Sequence, residues 1–261
     1  MLNLESLCTE VRKIARKAGS FLEDEQRKFD RGRVEEKSAH NYVSYVDKAS
    51  EKLLIKKLSA LLPEAGFIAE EGSGSLTDEN YCWVIDPLDG TSNYIHNMAP
   101  YAVSIALRNK DELLLGVVYE VTRRECYYAW KGSKAYMDGL EIHVSDVSEL
   151  DKAFIALGFP YDSDKYRPVA MHLVDGLYGF AGGTRLLGSA ASEICYIASG
   201  RFDARIEAYL GPWDVAAAGL ILMQAGGKLT DFSGGDTWTD ACQVVASNGK
   251  MHETVLKLIQ Q

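Results

Sequence analysis

Apolar residues recur three and four apart over residues 4–26 (Leu4, Leu7, Val11, Ile14, Ala15, Ala18, Leu22), which predicts a helix with one packed face. Arg12, Lys13, Arg16 and Lys17 occupy its polar side, and the stripe lacks the bulk of a membrane-surface helix, the weaker reading. Residues 27–46 are polar and irregular. A second helix is expected over 47–62, with Leu53, Leu54, Leu58, Leu61 and Leu62 apolar and Pro63 as its stop. A short strand at 66–69 and a strand at 82–85 flank loop chemistry at 72–80. Segments 102–108, 113–119 and 125–130 alternate or run apolar at strand length, with Asn109-Lys110-Asp111 and Thr122-Arg123-Arg124 between them. They read as an antiparallel meander. The rhythm changes near residue 150. Strands are expected at 153–157, 203–208 and 243–247, and helices at 164–177, 190–199 and 251–260. Pro168 suits the first turn of the helix it falls in. Another helix, rich in alanine, runs from Asp214 to Gln224 and closes on Gly226-Gly227.

A chain of 261 residues can bury a sizeable core, and we expect a single domain over 1–261, with 1–150 carrying a metal-site half and 151–261 a substrate-side half. The net charge of −9 advertises no basic face, so nucleic acid is not the expected partner. An acidic protein that handled phosphate esters would need cations to offset like-charge repulsion. Five scattered cysteines without a Cys-x-x-Cys pair argue against a disulfide framework and a structural zinc site. No apolar run approaches a membrane span, and Met1–Glu5 does not open a secretory leader, so the expectation is a cytoplasmic protein without a membrane partner.

The chemistry concentrates in Trp83-Val84-Ile85-Asp86-Pro87-Leu88-Asp89-Gly90-Thr91-Ser92-Asn93. Two carboxylates three residues apart, at the end of a buried strand, are costly unless paired or bound to metal. Pro87 stiffens the peptide between them, so Asp86 and Asp89 could sit on one side of a rigid turn and share a divalent cation. An Asp as helix cap explains the same letters. A second acidic point is Glu70-Glu71, after the strand at 66–69. Adjacent strand residues face opposite ways, so one of the two can point at a shared site. Asp47 and Asp214 each open a helix and read on their own as N-caps. Gly188-Ser189-Ala190-Ala191 leads into a helix with small residues and exposed amides, suited to a polar ligand or to a tight helix–sheet contact. Glu70, Asp86, Asp89 and Asp214 are hard oxygen donors from three chain regions, suited to magnesium, and no histidine or cysteine cluster competes for zinc.

The Asp86–Tyr94 run resembles the signature of the inositol monophosphatase family, Asp-Pro-Ile/Leu-Asp-Gly-Thr-x-Asn-Phe/Tyr. The resemblance extends from Lys37 to Gly227. Glu70-Glu71-Gly72 is similar to the family's Gly-Glu-Glu-Ser/Gly, and Trp213-Asp214 through Gly226-Gly227 to its second signature, with Gln224 in place of the usual Glu. Gly188-Ser189-Ala190-Ala191 and Glu207 also match. Asn41 and Ser44 depart from an Asp-x-Val-Thr-x-x-Asp pattern that keeps Asp47.

The resemblance implies a layered α/β fold, alternating α-β-α-β-α, and two or three Mg2+ per subunit. Carried over, Glu70, Asp86 and the Leu88 carbonyl hold one metal, and Asp86, Asp89 and Asp214 a second. Glu70, with Thr91 and Asp47, activates the attacking water. Gly90 and Thr91 receive the phosphate, and Gly188, Ser189, Ala190 and Glu207, beside Asp89 and Asp214, contact substrate. Asp86 as a covalent nucleophile ranks below direct attack by water. The implied substrate is a small phosphate ester, myo-inositol 1-phosphate first, with fructose 1,6-bisphosphate, NADP and adenosine 3′,5′-bisphosphate as alternatives. Homodimers are common in the family. An interaction or regulatory protein that keeps the fold is the reading of another class.

Overall fold

A computed structural model describes residues 2–38, 41–72, 80–110, 112–160, 163–239 and 242–260, with the side chains of residues 33, 37, 38, 41 and 163 outside the description. The loop expected within 72–80 and the tip residue Asp111 therefore fall largely outside the described residues, as do the side chains of Lys37 and Asn41.

The first part of the chain runs α1 (Leu4–Gln26), β1 (Val34–Ser38), β2 (Asn41–Ser44), α2 (Tyr45–Leu61), β3 (Ala65–Ala69), β4 (Tyr81–Asp89) and α3 (Thr91–Ile95). It continues through β5 (Ala102–Asn109), β6 (Leu113–Glu120), β7 (Glu125–Trp130), β8 (Ala135–Met137) and β9 (Leu140–Ile142). Strands β3 to β9 pair in sequence order in one seven-stranded sheet, parallel between β3 and β4 and antiparallel thereafter. The second part holds β10 (Phe154–Leu157), α4 (Ser163–Leu177), β11 (Gly183–Arg185), α5 (Ala190–Ala198), β12 (Ala204–Ala208), α6 (Pro212–Gln224), β13 (Lys228–Thr230), β14 (Gln243–Ser247) and α7 (His252–Gln260). Its five strands pair in the order β11-β10-β12-β14-β13.

The layers follow from which faces are apolar. Alternation along β5 sends Val103, Ile105 and Leu107 to a cluster shared with α1 and α2, and Ala102 and Ala106 to the opposite face. That opposite face meets α5 and α6, whose far side meets the second sheet at Ala156, Val244 and Ala246. The outer face of the second sheet packs on α4 and α7 through Leu173, Leu177, Val255 and Leu256. The result is the expected α-β-α-β-α stack.

Small residues make the central contact close. A Cβ on Gly116 of β6 would lie 2.4 Å from the Ala217 carbonyl oxygen of α6, so the helix rests on bare backbone. Ala217 of α6 supplies the matching surface, and its neighbours Ala216 and Ala218 are buried as well.

Several boundaries differ from expectation. Strand β4 does not end at Ile85 in a turn. It runs through Pro87 to Asp89, with the register to β5 broken between Asp86 and Asp89. Proline has no N–H to give to a ladder, and a bulge is where a strand tolerates it. Pro168 lies inside α4 rather than in its first turn. The β1–β2 hairpin and the three-residue strands β8, β9, β11 and β13 were not anticipated.

Candidate active site

The bulge in β4 is the foundation of the site. Asp86 Oδ1 accepts from the Leu88 amide at 2.9 Å, folding its carboxylate over its own backbone. Ser50 on α2 donates to the Pro87 carbonyl at 3.1 Å. The Leu88 side chain is buried, anchoring the segment in the core while its carbonyl accepts from Thr91 Oγ1 at 3.0 Å. Gly90, at φ 89, turns the chain into α3, and a Cβ there would lie 3.0 Å from the Pro100 carbonyl.

Two of the acids expected as N-caps are instead the third residues of their helices. Ser44 caps α2, and Asp47 accepts its amide at 2.8 Å and its hydroxyl at 2.5 Å. The other oxygen of Asp47 accepts from Thr91 Oγ1 at 2.8 Å. Asp47 is wholly buried, so it reaches the cavity only through Thr91. Asp214 accepts from the Gly211 amide at 2.6 Å and sits in the first turn of α6. Trp213 before it is held by Ser104 of β5, whose hydroxyl donates to the Trp213 carbonyl at 3.0 Å.

Asp89 connects β4 of the first sheet to the N-terminus of α5. Its Oδ1 accepts from the Ala190 amide at 3.1 Å and its Oδ2 from the Ala191 amide at 2.9 Å, and the Ser189 hydroxyl also donates to Oδ2. The amides of the α5 N-terminus, anticipated as a seat for ligand, are therefore taken by a carboxylate of the protein itself. An anion is stabilised there by the unpaired amides and the helix dipole. Ser189 is fully buried behind the wall, while Gly188 and Ala190 line the cavity.

Asp86, Asp89 and Asp214 each offer an oxygen within 4.8 Å of the others. Glu70 is on the wall of the same cavity, and its charge is felt by Asp86, Asp214 and Asp47. Burial, then the charges of Glu70, Asp89 and Asp214, push Asp86 well above the usual carboxylate range. Burial, then Glu70 and Asp89, does the same to Asp214. Burial pushes Asp89 up to about 7, against the Ser189 hydroxyl, the Arg205 charge and the α5 amides. Burial also raises Asp47. Among the described residues, Asp86 Oδ2 and Asp214 Oδ1 receive no hydrogen bond. Carboxylate oxygens that line the cavity without a donor, all of hard oxygen type and crowded by like charge, fit a magnesium-class cation.

The cavity measures about 640 Å³, a size suited to a small phosphorylated molecule. Its wall also includes Gly90, Thr91 and Glu207, so these residues share one space with the acids. Sequence reasoning passed over two residues that shape it. Asn93 Nδ2 donates to the Pro100 carbonyl at 2.7 Å and the Leu187 carbonyl at 2.6 Å, tying α3 to the segment before α5. Its place in the Asp86–Tyr94 run was the available signal. Arg205 on β12 donates through Nε to Glu193 at 2.9 Å and through Nη2 to Glu207. Opposite charges at positions 205 and 207 of one strand share a face, which is a readable hint.

The chain matches the model of the inositol monophosphatase family over residues 3–261. The protein named Nus factor SuhB of Escherichia coli (strain K12) is 36% identical over 244 residues, covering 93% of this chain and 91% of its own length. The crystal structure of extragenic suppressor protein suhB from Bartonella henselae superposes with a TM-score of 0.93 at 29% identity, covering 98% of this chain and 99% of its own. The IMPase structure of Thermotoga maritima superposes with a TM-score of 0.87 at 30% identity, covering 96% and 95%.

Proposed function

The chain belongs to the inositol monophosphatase family, and from that membership we propose that it is a magnesium-dependent phosphomonoesterase of small phosphate esters, with myo-inositol 1-phosphate the foremost substrate. The observation that carries this reading is the convergence of Asp86, Asp89 and Asp214, from β4 and α6, on one cavity wall. Bound magnesium, two or three ions on the family's pattern, would supply Lewis-acid polarisation of the phosphoryl group and offset the crowded charge. Glu70, Asp86 and the Leu88 carbonyl would hold one ion, and Asp86, Asp89 and Asp214 another.

The chain's own groups do the positioning and move the proton. The Thr91 hydroxyl hydrogen is committed to Asp47 or to the Leu88 carbonyl. Its oxygen lone pairs are thereby left to accept from the attacking water. Asp47 is a positioning residue in this scheme, acting through Thr91. Glu70 takes the water proton as oxygen bonds to phosphorus. The ester P–O bond breaks, and the departing alkoxide is reprotonated from solvent. Gly90 and Thr91, at the start of α3, steer the phosphate oxygens. Asp86 is a poor nucleophile, since one oxygen is held by the Leu88 amide and the group lies among other acids. The working form in this reading is a cytoplasmic homodimer acting on a small molecule.

Kinship with a protein named Nus factor SuhB supports a second reading, an interaction protein that keeps the fold. Phosphate release from inositol 1-phosphate, fructose 1,6-bisphosphate, NADP and adenosine 3′,5′-bisphosphate, with magnesium and with chelator, separates the two. Magnesium-dependent turnover of one ester, lost in a folded Asp89→Asn variant, is the expected result. No release from any of them by folded protein would favour the interaction reading.

A further inference from the structure

Leu187 lies between β11 and α5, outside any ladder or helix, and side chains hold both polar groups of its backbone. Glu193 of α5 accepts from its amide at 3.0 Å. Asn93 of α3 donates through Nδ2 to its carbonyl at 2.6 Å, and to the Pro100 carbonyl at 2.7 Å. Two carbonyls on one side fix the orientation of the Asn93 amide, because only its NH2 end can donate to both. The next residue, Gly188, has φ 81 and lines the cavity. Its carbonyl backs onto Gly90, where an added Cβ would come within 3.3 Å of the oxygen. A peptide unit is planar and trans, so its C=O and N–H point in opposite directions. The Leu187 carbonyl faces Asn93 on α3, and the Gly188 N–H therefore points away from that helix. Among the described residues that N–H meets no acceptor, and Gly188 is exposed.

Resting on the phosphomonoesterase reading above, we propose that Asn93 is a positioning residue of this cavity: by holding the Leu187 carbonyl it turns the Gly188 N–H toward the cavity, as a donor to an oxygen on the alcohol side of the bound ester. Glycine at position 188 is what makes a holder necessary. It is open to φ of either sign, so it tolerates either orientation of the peptide before it. The Glu193 contact cannot do the holding, because the Leu187 N–H belongs to the preceding peptide and leaves the Leu187–Gly188 peptide free to turn. With Asn93 in place, the rotated form strips the Leu187 carbonyl of its partner and costs a hydrogen bond. Without Asn93 the two forms compete. The rotated one shows a carbonyl where the donor stood, and lone pair meets lone pair when an ester oxygen arrives.

The test compares wild type with Asn93→Asp, which keeps the shape but has no N–H to donate, and with Asn93→Ala. Two esters are used with magnesium: inositol 1-phosphate, and phenyl phosphate, whose alcohol part has no acceptor oxygen beyond the ester linkage. Circular dichroism and the magnesium-induced rise in Tm show which variants are folded, and inhibition by inorganic phosphate reports on the phosphate side alone. In both variants KM for the inositol ester should rise about tenfold, with kcat within about twofold of wild type. The constants for phenyl phosphate and for inorganic phosphate should stay within about twofold, a selectivity that loosened structure would not produce. If Asn93→Asp fails to fold, Asn93→Ala decides alone, and failure of both makes Asn93 a structural residue and overturns the assignment. Both esters slowed in proportion, a raised phosphate inhibition constant, or an unchanged KM in folded variants also overturns it and leaves the phosphatase reading standing. A folded wild type inert on both esters overturns both.

Discussion

Replacing Gly116 with alanine tests whether the metal site is held by direct backbone contact between β6 and α6. The new Cβ would lie 2.4 Å from the Ala217 carbonyl oxygen and 3.0 Å from the carbonyl carbon and Cα. Carbon contacts are comfortable near 3.5 Å, so α6 must retreat by about 1 Å. The helix cannot do this alone, because Val215, Ala216, Ala217, Ala218, Ile221 and Leu222 are buried with residues of both sheets. Overpacking of this kind costs about 1–3 kcal/mol. At this chain length that is a fall in Tm of about 2–6 °C. Asp214 lies one turn before Ala217 on the same helix, so the retreat also pulls its carboxylate from Asp86 and Asp89. A misplacement of about 1 Å is worth up to about 100-fold in rate. The assay is a thermal melt with and without magnesium, followed by phosphate release. A variant that melts within about 1 °C of wild type and keeps its full magnesium response would refute the reasoning, because α6 would then not bear on the sheet at Gly116.

Three further outcomes are expected. Ser189→Ala removes the hydroxyl that donates to Asp89 while leaving both α5 amides in place; magnesium affinity by calorimetry should fall about 10–100-fold, and an unchanged value would show that the amides suffice. Thr91→Val keeps shape but loses the hydroxyl held by Asp47, so kcat on inositol 1-phosphate should fall at least about 100-fold with little change in KM; near-normal kcat would remove Thr91 from the water-positioning role. Burial, then Lys228, pulls the His252 imidazole down to about 4 from 6.5. The unfolded chain takes up a proton below about 6.5 where the folded chain does not, so the stability tied to this group is complete above that pH. It is lost as pH falls from 6.5 toward 4, about 3 kcal/mol at most. His252→Gln should flatten the acid limb of a denaturant titration over that window, and an unaltered slope would place the acid sensitivity elsewhere.

The long helices and strands were legible because apolar period and length agreed, while their α-β-α-β-α layering was implied by the family resemblance. Leu7, Val11, Ala15, Ala18 and Leu22 do form the buried face of α1, and Val103, Ile105 and Leu107 do face that helix. What escaped was structure without an apolar signature. Strand β1 reads Val-Glu-Glu-Lys-Ser, and none of its described side chains is buried, so no alternation shows there. Strands β11 and β13 are three residues long, below the length at which a period can be counted. Pro87 argued for a turn where a bulged strand runs on, because the ladder partner of a bulge is a tertiary fact. The acidic residues of the site stood out by spacing, but their neighbours did not. Nothing local announces that Asp89 will face Ala190 and Ala191, about a hundred positions later, or that Glu193 and Arg205 will pair in the interior.

That long reach of Asp89 has a kinetic consequence. The helix it caps belongs to the second part of the chain, so neither the α5 N-terminus nor the carboxylate is in its final state until the two sheets have docked around α5 and α6. Closing so large a loop comes late in folding, after local hairpins and helices have formed. A ligand that recognises only the finished site cannot help the chain find it. Magnesium should therefore leave the refolding rate of this protein nearly untouched and act on the reverse step, slowing unfolding as its concentration rises.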